Sequence, residues 1–193
     1  MRLLEWVKLL LAPKPETPEV AQSPELQLGV SPFPSGMGPS RLVVIRHAEK
    51  SGDRRDPHLS LPGRRRAEQL VDYIPSIFGQ PHFLIAARTS GRSRRPVETL
   101  EPLAAAFELE VGAKFGDSDS LGLVDTLSGK QRYCGKLGVI CWRHSELPRL
   151  VGALGASPAT LPRRWDESDY TTIVDVTYSG NGEARAKRLQ MPF

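Results

Sequence analysis

The sequence predicts an α/β fold, a mostly parallel central sheet flanked by helices on both faces. Three observations predict it. Short runs of branched apolar residues alternate with longer segments of helical periodicity, strand, helix, strand, helix, strand, helix, strand. No internal repeat breaks that order. The chain's 193 residues, 39% hydrophobic and 25% charged, suffice for one domain with a proper core.

The first strand is "LVVI", Leu42 to Ile45, which runs abruptly into Arg46-His47. A loop follows, then "LSLPGRRRAEQLVDYI". Ser60 is placed to cap a helix with Pro62 in its first turn, and Ala67, Leu70, Val71 and Ile74 recur at helical spacing. Pro75 is expected to close this helix. "HFLIAA" predicts a second buried strand and "RTSGRSRRP" a polar loop at its carboxyl end. In "VETLEPLAAAF", Val97, Leu100, Leu103, Ala104 and Phe107 fall on one helical face. "KLGVICW" predicts the third strand. Leu147, Leu150, Val151 and Leu154 then make another apolar stripe, and residues 171 to 178, "TTIVDVTY", read as the last strand. The tail after Tyr178 carries no recognisable chemistry.

Residues 12 to 40 are dense in proline and poor in periodic apolar residues, the composition of a linker or loose arm. The expected division is therefore 1–40, a short amphipathic segment and proline-rich linker, and 41–193, the folded domain. Leu3, Leu4, Val7, Leu10 and Leu11 share a helical face, but Glu5 and Lys8 interrupt the apolar run. It falls well short of the roughly 20 residues that span a bilayer. A helix that packs locally is the reading preferred over a membrane contact, and a cytoplasmic location is expected.

Composition narrows the chemistry. Lys and Arg number 26 against 22 Asp and Glu, a net charge of +4, which fits an anionic substrate. The two cysteines, Cys134 and Cys141, and the four histidines show no metal-ligand spacing, so neither a metal nor another cofactor is expected. "GRRR" and "GRSRRP" could serve nucleic acid, yet aromatic residues are only 7% of the chain, few for stacking on bases. No nucleic-acid partner is expected.

Three of the predicted strands end in cationic or imidazole groups: Arg46-His47, the cluster from Arg88 to Arg95, and Arg143-His144. Parallel strands bring their carboxyl ends to one sheet edge, where open α/β sheets bind ligands. Arginine forks suit phosphate, and a neutral imidazole among them is a competent nucleophile toward phosphorus.

In this light the chain resembles the histidine phosphatases, the superfamily that includes the phosphoglycerate mutases. The resemblance covers about residues 41 to 178. "VVIRHAEK" is similar to the family's strand followed by Arg-His-Gly, with Ala48 in place of the glycine. "LSLPGRRRAEQL" resembles its Leu-Thr-x-x-Gly-x-x-Gln-Ala helix start. "RSRRPVETLEPLA" resembles its Ser-x-x-x-Arg-x-x-Gln-Thr segment, with Arg95 as the second arginine, Thr99 as the threonine, and Glu98 in place of the glutamine. "GVICWRHSELPRLVGALG" resembles the strand delivering the second histidine, His144.

The resemblance implies a phosphoglycerate mutase-like fold without a large lid, and a phosphatase acting on a phosphoester or phosphorylated side chain. His47 would form a phosphohistidine that water hydrolyses. Arg46, Arg95 and His144 would surround the phosphoryl oxygens, with Lys50 able to extend the pocket. Arg88, Arg92 and Arg94 compete with Arg95 for its place. The general acid is expected to be Glu146, two residues beyond His144, with Asp117, Asp119 and Asp125 as alternatives. Arg64, Arg65 and Arg66 read as a solvated helix face. The substrate would be a phosphorylated small molecule or a phosphoprotein. The alternative function is a weak or inactive phosphate-binding or regulatory module on the same fold.

Overall fold

The computed structural model describes residues 27–193 except 54, 158 and 162. The expected N-terminal amphipathic helix lies outside the described residues. Seven strands are present among them: β1 (Gln27–Val30), β2 (Arg41–Arg46), β3 (Phe83–Ala86), β4 (Val111–Gly112), β5 (Leu137–Trp142), β6 (Thr172–Tyr178) and β7 (Glu183–Gln190). Four α-helices accompany them: α1 (Leu61–Phe78), α2 (Arg95–Ala106), α3 (Ser120–Gly129) and α4 (Leu147–Ala153). No described helix is long and apolar enough to cross a membrane.

The strand order is β1-β7-β6-β2-β5-β3-β4. From β2 outward through β5, β3 and β4 every pairing is parallel. In the other direction, β2–β6, β6–β7 and β7–β1 are antiparallel. The expectation of a mostly parallel sheet is corrected accordingly: the sheet is mixed. Part of the difference lies in the tail after Tyr178, which supplies β7. Asn181-Gly182, with Gly182 at φ 88°, turns β6 straight back into β7, the dipeptide that favours a tight hairpin. Ala184 and Ala186 of β7 face inward while Arg185 points out.

Strand alternation splits the core into two layers. Val43, Ile45, Val139 and Cys141 pack with α1 and α2 through Leu70, Ile74, Phe78, Leu100 and Leu103. Leu42, Val44, Ile140 and Trp142 point the other way, against α3 and α4 through Leu123, Leu127, Leu147 and Leu150. Helices on both faces thus bury both sides of β2 and β5. That is why these strands are continuous apolar runs rather than alternating ones.

Two boundaries differ from expectation. Helix α1 runs through Pro75 to Phe78, although an interior proline forgoes one helical hydrogen bond at about 3 kcal/mol. The last turn survives because Ile74 and Phe78 are buried on either side of Pro75, whose carbonyl accepts the Gly79 N–H at 3.1 Å. The expected linker also begins to fold before Arg41. Gln27–Val30 pairs with residues 183–186, and Phe33 is buried edge-on against Tyr178 with ring centroids 4.8 Å apart.

Candidate active site

The site lies where β2 and β5 end side by side, Arg46 opposite Trp142. The His47 N–H donates to the Trp142 carbonyl at 3.0 Å, which carries the ladder one residue beyond the strand. Because β6 runs antiparallel to β2, the segment just before it reaches this same edge. That segment holds Arg46. Nη1 donates to the carbonyls of Glu167 at 2.7 Å, Asp169 at 2.8 Å and Asp166 at 3.3 Å, and the guanidinium lies over the Tyr170 ring. The Asp169 carboxylate pins the segment, accepting from the backbone N–H groups of Thr171 and Thr172 and from the Thr172 hydroxyl at 2.6 Å. Arg46 is 2% exposed, and its Nε and Nη2 have no hydrogen-bond partner among the described residues.

His47 is likewise buried. Its Nδ1 is 2.7 Å from the Ala48 carbonyl. A carbonyl can only accept, so Nδ1 carries the proton and Nε2 the lone pair. Burial, reinforced by the charges of Arg46 and Arg95, pushes the imidazole pKa down to about 3, despite the opposing Ala48 carbonyl. The ring is therefore neutral at ordinary pH. Ala48 is fixed in turn, its N–H donating to Thr99 Oγ1 at 2.9 Å while the Thr99 hydroxyl donates to the Arg95 carbonyl at 2.7 Å. Its backbone is not left-handed, the one non-glycine with positive φ among the described residues being Glu108, so alanine fits where the family motif has glycine.

Arg95 opens α2. Its Nη1 donates to the Asp56 carbonyl at 2.8 Å, and its Nε is buried without a partner among the described residues. Its competitors stand apart from this arrangement: Arg88, Arg92 and Arg94 are exposed, and Arg94 lies 3.7 Å from Glu98. His144 lies two residues past β5 with Nδ1 buried and similarly unpartnered. Burial, followed by the charge of Arg46, lowers its pKa, and the Glu167 carboxylate opposes that shift.

The loop after His47 is clamped to α1. Ser60 caps the helix by accepting from the Gly63 N–H at 3.2 Å. A Cβ on Gly63 would sit 2.4 Å from the Glu49 carbonyl oxygen, so this approach requires glycine. Arg66 grips the Glu49 carboxylate through Nε at 2.9 Å and Nη2 at 2.7 Å. Arg64 and Arg65 are exposed, but Arg66, expected on the same solvated face, is half-buried in this clamp. Glu98, which stands in place of the glutamine, accepts from the Leu59 N–H at 2.9 Å and tethers the other end of the loop.

Two of the four expected acids are engaged in other contacts. Asp117 pairs with Arg143, and its carbonyl accepts from Trp142 Nε1 at 2.8 Å. Asp119 caps α3, and Asp125 is exposed on that helix. Glu146 occupies the N-cap of α4 without a capping bond, and its carboxylate forms no ion pair within 4.0 Å among the described residues. Glu167 comes nearer, with Oε1 3.9 Å from His144 Nε2 and Oε2 3.7 Å from Lys50 Nζ. Together with Lys50, Ser51, Gly52, Asp53 and Arg95 it lines a cleft of about 550 Å³. Among the described residues, no three His, Cys, Asp or Glu side chains are grouped as metal ligands would be.

Glu167, Asp169 and Tyr170 were missed in the sequence. The available signal was the polar stretch "WDESDY" directly before a strand, where Asp166 and Asp169 each precede a hydroxyl residue by two positions, the spacing of side-chain-closed turns.

No protein-family model and no curated protein matches the chain. Solved structures do. The protein histidine phosphatase SixA complexed with tungstate is 13% identical with a TM-score of 0.55, over 78% of this chain and 96% of that one. The mycobacterial glucosyl-3-phosphoglycerate phosphatase Rv2419c with inorganic phosphate is 16% identical with a TM-score of 0.56, over 80% and 97%. Its native structure is 15% identical with a TM-score of 0.53, over 79% and 98%. At such identities the shared property is the fold, that of the histidine phosphatases.

Proposed function

We propose that the chain is a phosphatase, a phosphoric monoester hydrolase working through a phosphohistidine on His47. One observation carries this reading: the His47 tautomer leaves a lone pair on Nε2, beside Arg46, Arg95 and His144, on which the guanidinium N–H groups Arg46 Nε, Arg46 Nη2 and Arg95 Nε and the ring nitrogen His144 Nδ1 are buried without partners among the described residues. Buried donors without acceptors are costly, and a phosphoryl group supplies acceptors for all of them.

In the first step Nε2 attacks phosphorus and the bond to the leaving oxygen breaks. Charge on the transferred group spreads over its equatorial oxygens, which Arg46, Arg95 and His144 stabilise without reorganising. Water then attacks the phosphohistidine, the P–N bond breaks, its electron pair returns to Nε2, and inorganic phosphate leaves. A protonated ring could not attack, so the low pKa of His47 keeps it competent. The reaction class is supported by the similar structures, a protein histidine phosphatase and a glucosyl-3-phosphoglycerate phosphatase. The substrate is a phosphorylated small molecule or a phosphoprotein.

A second reading, a phosphate-binding or regulatory module with weak turnover, draws on the positions of Asp117, Asp119, Asp125 and Glu146, none of which pairs with a cation of the pocket. Hydrolysis of p-nitrophenyl phosphate with trapping of an acid-labile phosphoenzyme separates the two. The phosphatase reading expects both signals in the wild type and a loss on the order of 10³-fold or more in His47→Ala. Phosphate binding with neither signal, from folded protein, would establish the module.

A further inference from the structure

A departing alkoxide needs a proton; Asp117 and Asp119 are engaged with Arg143 and the start of α3, and neither Asp125 nor Glu146 lies within 4.0 Å of a basic side chain among the described residues. One carboxylate does reach the pocket. Among the described residues, only that of Glu167 lies within 4.0 Å of a side-chain nitrogen of Arg46, His47, Lys50, Arg95 or His144. Its separations of 3.7 Å from Lys50 and 3.9 Å from His144 exceed hydrogen-bonding length, so neither contact locks it.

The backbone of Glu167 is fixed where its side chain is not. Its carbonyl accepts from Arg46 Nη1 at 2.7 Å, flanked by the carbonyls of Asp166 and Asp169 on the same nitrogen. The side chain remains 62% exposed and lines a cleft together with Lys50 and the pocket residue Arg95.

We propose that Glu167 is the general acid and base of the reaction, anchored through its backbone to Arg46 and facing the cleft between Lys50 and His144. The assignment rests on the phosphatase reading above. In the first step, as the P–O bond breaks, the Glu167 carboxylic proton passes to the leaving oxygen and an alcohol departs. In the second, the Glu167 carboxylate takes a proton from water while that oxygen bonds to phosphorus and the P–N bond breaks. Phosphate leaves, His47 is again neutral, and Glu167 is again an acid. Such transfer typically contributes 10²–10⁴-fold.

The test compares the wild type with Glu167→Gln on aryl phosphates of increasing leaving-group basicity, reading kcat/KM, which reports the first transfer alone. The expected result is near-wild-type kcat/KM on p-nitrophenyl phosphate, which needs no proton, and a fall of roughly 10²-fold or more on phenyl phosphate. Inorganic phosphate should bind the variant at least as tightly as the wild type, because the backbone contacts to Arg46 are kept while a negative charge beside Lys50 and His144 is removed. An unchanged leaving-group dependence would overturn the assignment while leaving the phosphatase reading intact. An equal loss on every substrate, with weakened phosphate binding, would make Glu167 a structural tie and overturn it as well. A wild type that neither hydrolyses p-nitrophenyl phosphate nor traps phosphate would remove the underlying reading itself.

Discussion

Arg46 and Tyr170 lie face to face, the guanidinium carbon 3.7 Å from the centroid of the phenol ring. The stack orients a cation that ends one strand by means of a residue that precedes another. With Nη1 taken by three carbonyls and one face by the ring, the free edge of the fork is Nε and Nη2. That edge suits two oxygens of one phosphoryl group, the paired recognition in which arginine excels.

Replacing Tyr170 should therefore act through Arg46. Tyr170→Phe keeps the stack and is expected to bind inorganic phosphate within about twofold of the wild type. Tyr170→Ala removes a contact worth about 1–2 kcal/mol when desolvated, a weakening of roughly 10-fold. Titration calorimetry with inorganic phosphate reads the difference. An alanine variant with unaltered affinity would show that the carbonyls alone suffice.

The Thr99 hydroxyl joins α2 to the residue that holds His47, donating to the Arg95 carbonyl and accepting from the Ala48 N–H. Thr99→Val keeps the volume but strands a buried N–H, at a cost of about 1–3 kcal/mol. Thr99→Ser is expected to preserve both bonds and most of the stability. Urea unfolding measures the cost, and p-nitrophenyl phosphate turnover measures any displacement of His47. Equal stability in the valine variant would mean that Ala48 finds another acceptor.

The depressed pKa of His47 has a stability signature of definite sign. Between about 3, its folded value, and the ordinary 6.5, the unfolded chain binds a proton that the folded chain refuses. Stability is therefore lost as pH falls through 6.5 toward 3, by at most about 1.4 kcal/mol per pH unit from this group, and is unaffected by it above that window. The lowered pKa of His144 acts in the same direction. Urea midpoints at pH 7 and pH 4.5 should converge in His47→Gln relative to the wild type. Identical shifts in both proteins would mean that the ring titrates normally.

The central elements were legible because their signals were local. Branched apolar runs marked β2, β3 and β5, and a cap followed by helical spacing marked α1. The parallel order of these strands then placed Arg46, His47, Arg95 and His144 at one edge. Strand signals carry no direction. A strand parallel to β2 presents the residues that follow it at this edge, but β6 runs the other way and presents the residues before it. Glu167, Asp169 and Tyr170 lie there. The contacts of this segment to Arg46 are also largely main-chain carbonyls, which every residue type supplies, so no composition signals them. Glu146 is two residues from His144 in sequence, and at the start of α4 the chain turns into the core at Leu147, which is fully buried.

The pairing of Gln27–Val30 with β7 bears on how far the chain can be shortened. A version trimmed to Arg41 would uncover residues 183–186 of β7 and leave the whole of Glu183–Gln190 without β1 beside it. Open rims of that length present main-chain groups to one another, and short ones largely avoid it. Such a version would keep every residue of the pocket and still be prone to self-association and precipitation.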